Sequence, residues 1–327
     1  MFGSETELRT GICYLFYYLA GLMFQSIIKA VFFGNYFYGI CAVALAIEAS
    51  LQQNYSFNPP VFYVLVFTVT VWFYTLAYIK DPSIKTSRNP RTRWFIQYRV
   101  YVLYSQRLCL ISSSIILLFF LYKYRVGLTG ISKGQLWPLL LTPLAALLYY
   151  GLSFLGSFNL RRIGWLKPFI IGFTWAGLIT LTPVVFYHIS HQTNQSMSPT
   201  GWWLFLKNFM FVSVLCIMFD IKDYASDANH NIKTFVVAKG LRFTIFSIIV
   251  PLTLAGMASF LAFAIYNGFS VTRLLFNLIP FLAMILVAYA LKQRRTIFFY
   301  LTVIDGLMFL KALCGILAYY FDSTHLR

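Results

Sequence analysis

Acidic side chains are the scarcest feature of this chain: nine in 327 residues, with all charged residues together making up 11%. A soluble domain carries about a quarter charged residues. A soluble globular fold is therefore excluded, and 60% hydrophobic content with a mean hydropathy of +0.73 points to lipid as the solvent. Stretches of alternating polarity are missing, which excludes a membrane β-barrel. The five cysteines, Cys13, Cys41, Cys109, Cys216 and Cys314, are far apart in apolar surroundings, so neither a disulfide framework nor a zinc site is expected. There is no G-x-G-x-x-G, P-loop, His-Glu-x-x-His or nucleophile elbow. The net charge of +17 is spread over short loops instead of forming one patch, which argues against a nucleic-acid partner. The opening Met-Phe-Gly-Ser-Glu-Thr-Glu is acidic and lacks a small-residue cleavage site, so it does not read as a secretory signal.

What the chain does have is a succession of apolar runs near the length of about 20 residues that a membrane helix needs. Nine are expected to span, at 32–51, 60–80, 108–126, 137–156, 165–187, 202–221, 243–266, 271–291 and 297–321. The fold class is thus all-α: a single polytopic membrane domain over 1–327. Its N-terminal segment, 1–31, carries an interfacial helix over 8–30 that Gln25, Ser26 and Lys29 interrupt. A tenth span there is the alternative. Pro60, Pro138 and Pro168 are expected at helix starts, whereas Pro143, Pro183, Pro251 and Pro280 predict kinks.

Loop charge sets the expected orientation. Seventeen basic residues fall on one side: Lys80, Lys85, Arg88, Arg91, Arg93, Arg99, Arg107, Arg161, Arg162, Lys167, Lys222, Lys233, Lys239, Arg242, Lys292, Arg294 and Arg295. Against them stand Lys123, Arg125 and Lys133. The positive-inside rule places the crowded side and the N-terminus in the cytoplasm, and the C-terminus opposite.

Three of the nine acids occur within eight residues, at Asp220, Asp223 and Asp227. Their i, i+3, i+7 spacing keeps them within about 60° of one helix face, near a C-terminus that is already partly negative. Such a face calls for a cation, and hard carboxylate oxygens suit Mg²⁺ shared with a diphosphate. The bland alternative is a solvated loop.

The run Asp220-x-x-Asp223-x-x-x-Asp227, followed by Ile232-Lys233-Thr234 and Lys239-Gly240, resembles the second aspartate-rich motif of the UbiA-type membrane prenyltransferases. The specific motif covers about 20 residues, and the helical layout covers the whole chain. The resemblance implies Mg²⁺-dependent transfer of an isoprenoid chain from a prenyl diphosphate to a hydrophobic acceptor, aromatic or lipid-like, within membrane lipid, as in quinone biosynthesis. By it, Asp220, Asp223 and Asp227 are the catalytic, metal-binding acids, and Lys233, Arg91, Arg93 and Asp81 contact diphosphate. Tyr74, Tyr78 and Asp305 are candidate acceptor or cavity residues, with a bond to a polar group on a neighbouring helix as the alternative for Asp305. Two departures stand out. Asn231 occupies a position where the family usually has glycine, and the first motif is reduced to Phe73–Asp81 with one acid, Asp81. A non-catalytic homologue that binds a lipid diphosphate or a protein partner is the competing reading. A transporter would show matching halves with paired helix interruptions, and the sequence has neither.

Other ionisable groups fall inside the spans, where charge needs a partner or a purpose. Asp305 and Lys311 are six apart and so lie on different helix faces. Glu48 is expected at the interface, His188 and His191 on the far loop, and His230 just past the acids.

Overall fold

Pro60, Pro90, Pro168 and Pro199 each stand in the first turn of a helix, where a missing N–H costs nothing. Asn89 and Ser198 cap two of those helices, accepting from Arg91 N at 3.0 Å and Gly201 N at 3.1 Å. The computed structural model describes residues 23–80, 89–150 and 163–322, and they are helical with no strand among them. The helices are α1 (Met23–Phe33), α2 (Tyr36–Gln52), α3 (Pro60–Lys80), α4 (Pro90–Gln97), α5 (Arg99–Lys123) and α6 (Arg125–Thr129). They continue as α7 (Lys133–Tyr150), α8 (Lys167–Ser190), α9 (Pro199–Asn229), α10 (Phe235–Lys239), α11 (Leu241–Tyr266), α12 (Val271–Ala290) and α13 (Ile297–Tyr320).

Six of these, α5, α8, α9, α11, α12 and α13, are long and apolar enough to cross a membrane, and α1 with α2 makes a seventh if counted as one bent span. This establishes a multi-pass membrane protein but not the count of nine. Each expected span coincides with a helix, and the end of the span expected over 137–156 lies outside the described residues. Of the helix expected over 8–30, residues 8–22 lie outside the described residues, and α1 is the described part. It meets α2 at 64° and does not extend the axis of that helix.

Several boundaries move for local reasons. α7 starts at Lys133, so Pro138 lies inside the helix instead of at its start. α5 begins at Arg99, after a break at Tyr98, instead of at 108. α9 runs eight residues past the expected end, and its last turns carry all three clustered acids. Asn231, with φ +55°, ends it in the left-handed conformation, and Ile232 N reaches back to Asp227 O at 2.8 Å. This accounts for the departure from glycine at that position, since asparagine is the side chain that best tolerates the left-handed region. Replacing Asn231 with glycine is expected to leave the thermal midpoint unchanged or slightly raised. Valine there should cost about 1–2 kcal/mol, and equal midpoints for the two variants would rule out this account.

The kinks expected at Pro183 and Pro251 take the form of single wide π-turns just ahead of each proline, at Gly177–Leu181 and Thr244–Ile249. A wide turn accommodates the proline ring and its missing donor without breaking the helix. A third π-turn, Tyr300–Ile304, precedes Asp305 and has no proline to explain it.

The core lies where α9 is surrounded. Phe211, Leu215, Ile217 and Met218 are buried there, with Ile179 of α8 and Ile304 and Met308 of α13. Helices α8 and α9 approach closely because Gly172 has no Cβ to strike Ser213. Only 17% of the apolar window of α5 is buried, against 56% for α8, α9 and α13, which makes α5 a peripheral helix.

Candidate functional site

On α9 the helical repeat places Asp220 and Asp227 about 20° apart, with Asp223 about 60° from Asp220. Burial follows that phase. Asp220 and Asp227 are buried, while the Asp223 side chain is 39% exposed at the edge of the face. Asp220 Oδ1 accepts from Lys167 Nζ at 2.7 Å, and Asp220 Oδ2 is buried with no hydrogen-bond partner. Lys167 opens α8, and its ammonium feels both Asp220 and Asp227. The turn before it is fixed by Lys167 N donating to Ile163 O at 3.2 Å. Gly164 in that turn sits against the backbone of Lys233 and Thr234, where a Cβ would overlap it. The loop that follows the acids therefore folds back onto the segment that delivers the lysine. Asp223 pairs with Lys222 at 3.2 Å near the surface.

A second acid reaches the same interior from α13. The π-turn at Tyr300–Ile304 re-phases the helix so that Asp305 is buried, beside Tyr38 and close to the charges of Arg91 and Lys222. Tyr38 stacks on Tyr74 with ring centroids 4.5 Å apart, and Trp175 Nε1 donates to the Tyr74 hydroxyl. Cys216 lies within electrostatic reach of Asp220, Lys167 and Asp305, so the two acids flank one region between α2, α3, α8, α9 and α13. This region offers a buried carboxylate pair at one edge, an aromatic wall, and a buried acid–phenol pair at the other.

A solved structure of a digeranylgeranylglyceryl phosphate synthase in membranes superimposes on this chain with a TM-score of 0.52, covering 90% of this chain and 99% of that one at 14% identity. The two share a fold. No family model and no curated protein matches the sequence.

Within that shared fold the expected site residues separate. Asp220, Asp223 and Asp227 lie on one helix end, but among the described residues no three His, Cys, Asp or Glu side chains form a metal-holding group. Arg91, expected on diphosphate, is buried and occupied: Nε donates to Phe33 O at 3.2 Å, a terminal nitrogen donates to Asn35, and the guanidinium lies 4.5 Å over Tyr78. It holds the elbow between α1 and α2, where Asn35 has φ +68° and donates to Thr75 Oγ1 at 2.9 Å. Tyr78 serves the same clamp and stacks on Phe95 at 4.7 Å. Arg93 and Lys233 are exposed, and Asp81 lies outside the described residues. His230 bonds its own helix through Ser226 O at 2.8 Å, and His188 is buried between Tyr55 and Thr193.

Lys167, Tyr38, Trp175 and Cys216 are the residues that sequence reasoning missed. Only Lys167 left a signal, a cation at the first position of a helix that opens Lys-Pro. Cys41, Cys109, Cys216 and Cys314 are free thiols, as expected from their spacing.

Proposed function

We propose that this chain is a membrane prenyltransferase, moving an isoprenoid chain from a prenyl diphosphate to a hydrophobic acceptor at the region between Asp220 and Asp305. The observation that carries the reading is the α9 acid stripe meeting Lys167, in a fold shared with a digeranylgeranylglyceryl phosphate synthase. The acids do not form a protein-only metal cage, but they fit Mg²⁺ that arrives on its diphosphate, since Mg²⁺ commonly takes one or two carboxylates plus phosphate oxygens. The open Oδ2 of Asp220 and the edge carboxylate of Asp223 would hold it, with Asp227 behind them. Bound there, the ion supplies Lewis-acid stabilisation of the leaving diphosphate.

The chain's own groups do the rest. Lys167 offsets the charge of Asp220 through Oδ1 and leaves Oδ2 unpaired. Lys222 and Lys233 sit at the entrance, where diphosphate oxygens need donors. The rings of Tyr38, Tyr74 and Trp175 face a developing allylic cation with π-electron density and keep water out. Asp305 and the neighbouring Tyr38 orient an acceptor hydroxyl or ring.

The test is transfer of a radiolabelled prenyl group by purified protein in lipid, with Mg²⁺ and a panel of aromatic and lipid-like acceptors. A labelled product that chelation abolishes is expected. No product, together with no Mg²⁺-dependent diphosphate binding, would reject the reading. One observation favours a second reading, a non-catalytic diphosphate-binding protein: Arg91 is consumed by the elbow and leaves the reduced first motif without a free buried cation among the described residues. Binding without transfer would select it.

A further inference from the structure

A second polar centre lies on the other side of the core, about 20 Å along α9 from Asp220. Lys311 of α13 pairs with Glu48 of α2 at 3.0 Å, both almost fully buried, and Gln52 Nε2 donates to Glu48 Oε1 at 2.6 Å. Arg273 of α12 lies 3.9 Å from Asp322 and 4.0 Å over the Phe269 ring. Both acids thus have a cation, and a third cation is left over. Lys207 Nζ donates to Asn277 Oδ1 at 3.0 Å and to Gln52 Oε1 at 3.5 Å, both neutral acceptors, and it lies 4.9 Å over Phe260. Among the described residues no carboxylate is within ion-pair distance of it. A cation held in a membrane bundle without a counter-charge is costly.

Lys207 also lines a cavity of about 20 Å³, together with Thr200, Ser259, Phe260, Phe263 and Phe269. That volume accommodates about one water or one small ion. Thr200 and Ser259 bring hydroxyl groups to it, each able to donate a hydrogen bond. None of the side chains lining the space is acidic, and Lys207 is the charged one among them.

We propose that Lys207 seats a single small anion in this cavity: a halide, or one anionic oxygen of a lipid headgroup reaching the same ammonium. It lies about 20 Å along α9 from Asp220, so this site is separate from the transferase site and stands whether or not that reading does. The anion supplies the missing negative charge and ties α9 to the α2–α12–α13 network.

The test uses the full chain in nanodiscs. In phosphatidylcholine, replacing sodium gluconate with sodium chloride at equal ionic strength should raise the unfolding midpoint by a few degrees. In gluconate, adding phosphatidylglycerol should do the same if the headgroup is the source. The response that occurs should be lost in Lys207→Gln and kept in the surface variant Lys133→Gln. A response to chloride alone assigns a free ion, and one to phosphatidylglycerol alone assigns the lipid. No response to either, or an equal response in Lys207→Gln, overturns the proposal. Should Lys207→Gln fail to fold, ³⁵Cl line broadening by the unaltered protein decides the free-ion arm, and a phosphatidylglycerol-dependent midpoint competed by chloride decides the lipid arm. Absence of both overturns it.

Discussion

Exchanging Lys311 for methionine is expected to destabilise the fold by about 3–5 kcal/mol, the usual result of removing one partner of a buried ion pair. The reason lies in what remains. Glu48 is fully buried, and its other oxygen already accepts from Gln52. The surroundings have no room to rearrange, because a Cβ on Gly315, one turn along from Lys311, would overlap the Glu48 side chain. The carboxylate would be left charged in a setting without water. Restoring neutrality should restore the fold: Glu48→Gln combined with Lys311→Met is expected within about 1 kcal/mol of the unaltered protein, since a neutral pair of similar volume often replaces a buried ion pair without loss. Thermal unfolding of the singles and the double in one detergent gives the coupling directly. A double variant as unstable as Lys311→Met would show that packing, and not charge, dominates there.

That pair also marks the limit of what the sequence could reveal. Periodicity correctly separated Asp305 from Lys311, because six residues on one helix put them on different faces, and each is now seen with its own partner. It could not name Glu48, 263 positions away, because spacing along a helix fixes a face and never the neighbour that face meets. Glu48 was therefore expected at the interface and is buried instead. The same gap explains Lys167 and Arg91. Both counted as loop charge, and only tertiary contact shows that one neutralises Asp220 and the other holds an elbow. Helix positions were legible because apolar runs and first-turn prolines act locally. Span number was less so, because the 64° bend between α1 and α2 shows only in three dimensions. The acid stripe was legible as one helix face, whereas the burial of Asp220 and Asp227 and the exposure of Asp223 at its edge came only from the structure. Whether those acids met each other or a lysine was not encoded in their spacing.

The division of roles along that stripe yields the second large effect. Asp223→Asn should leave folding nearly untouched, since its pair with Lys222 is exposed and exposed pairs contribute about 0–1 kcal/mol. It should nevertheless weaken Mg²⁺-dependent diphosphate binding severely. Asp220→Asn should do both. It strands Lys167, costing about 3 kcal/mol or somewhat less, because the lysine side chain is 17% exposed and partly screened. It should also lower transfer about 100-fold or more, the scale seen when one preorganised electrostatic group is removed from a site. Adding Lys167→Met to Asp220→Asn separates the two losses: the midpoint should recover and the transfer should not. If transfer returns with the midpoint, Asp220 serves only to hold the lysine, and the metal–diphosphate role passes to Asp223 and Asp227. If neither single variant alters diphosphate binding, the α9 acids are structural, and the prenyl-transfer assignment loses its site.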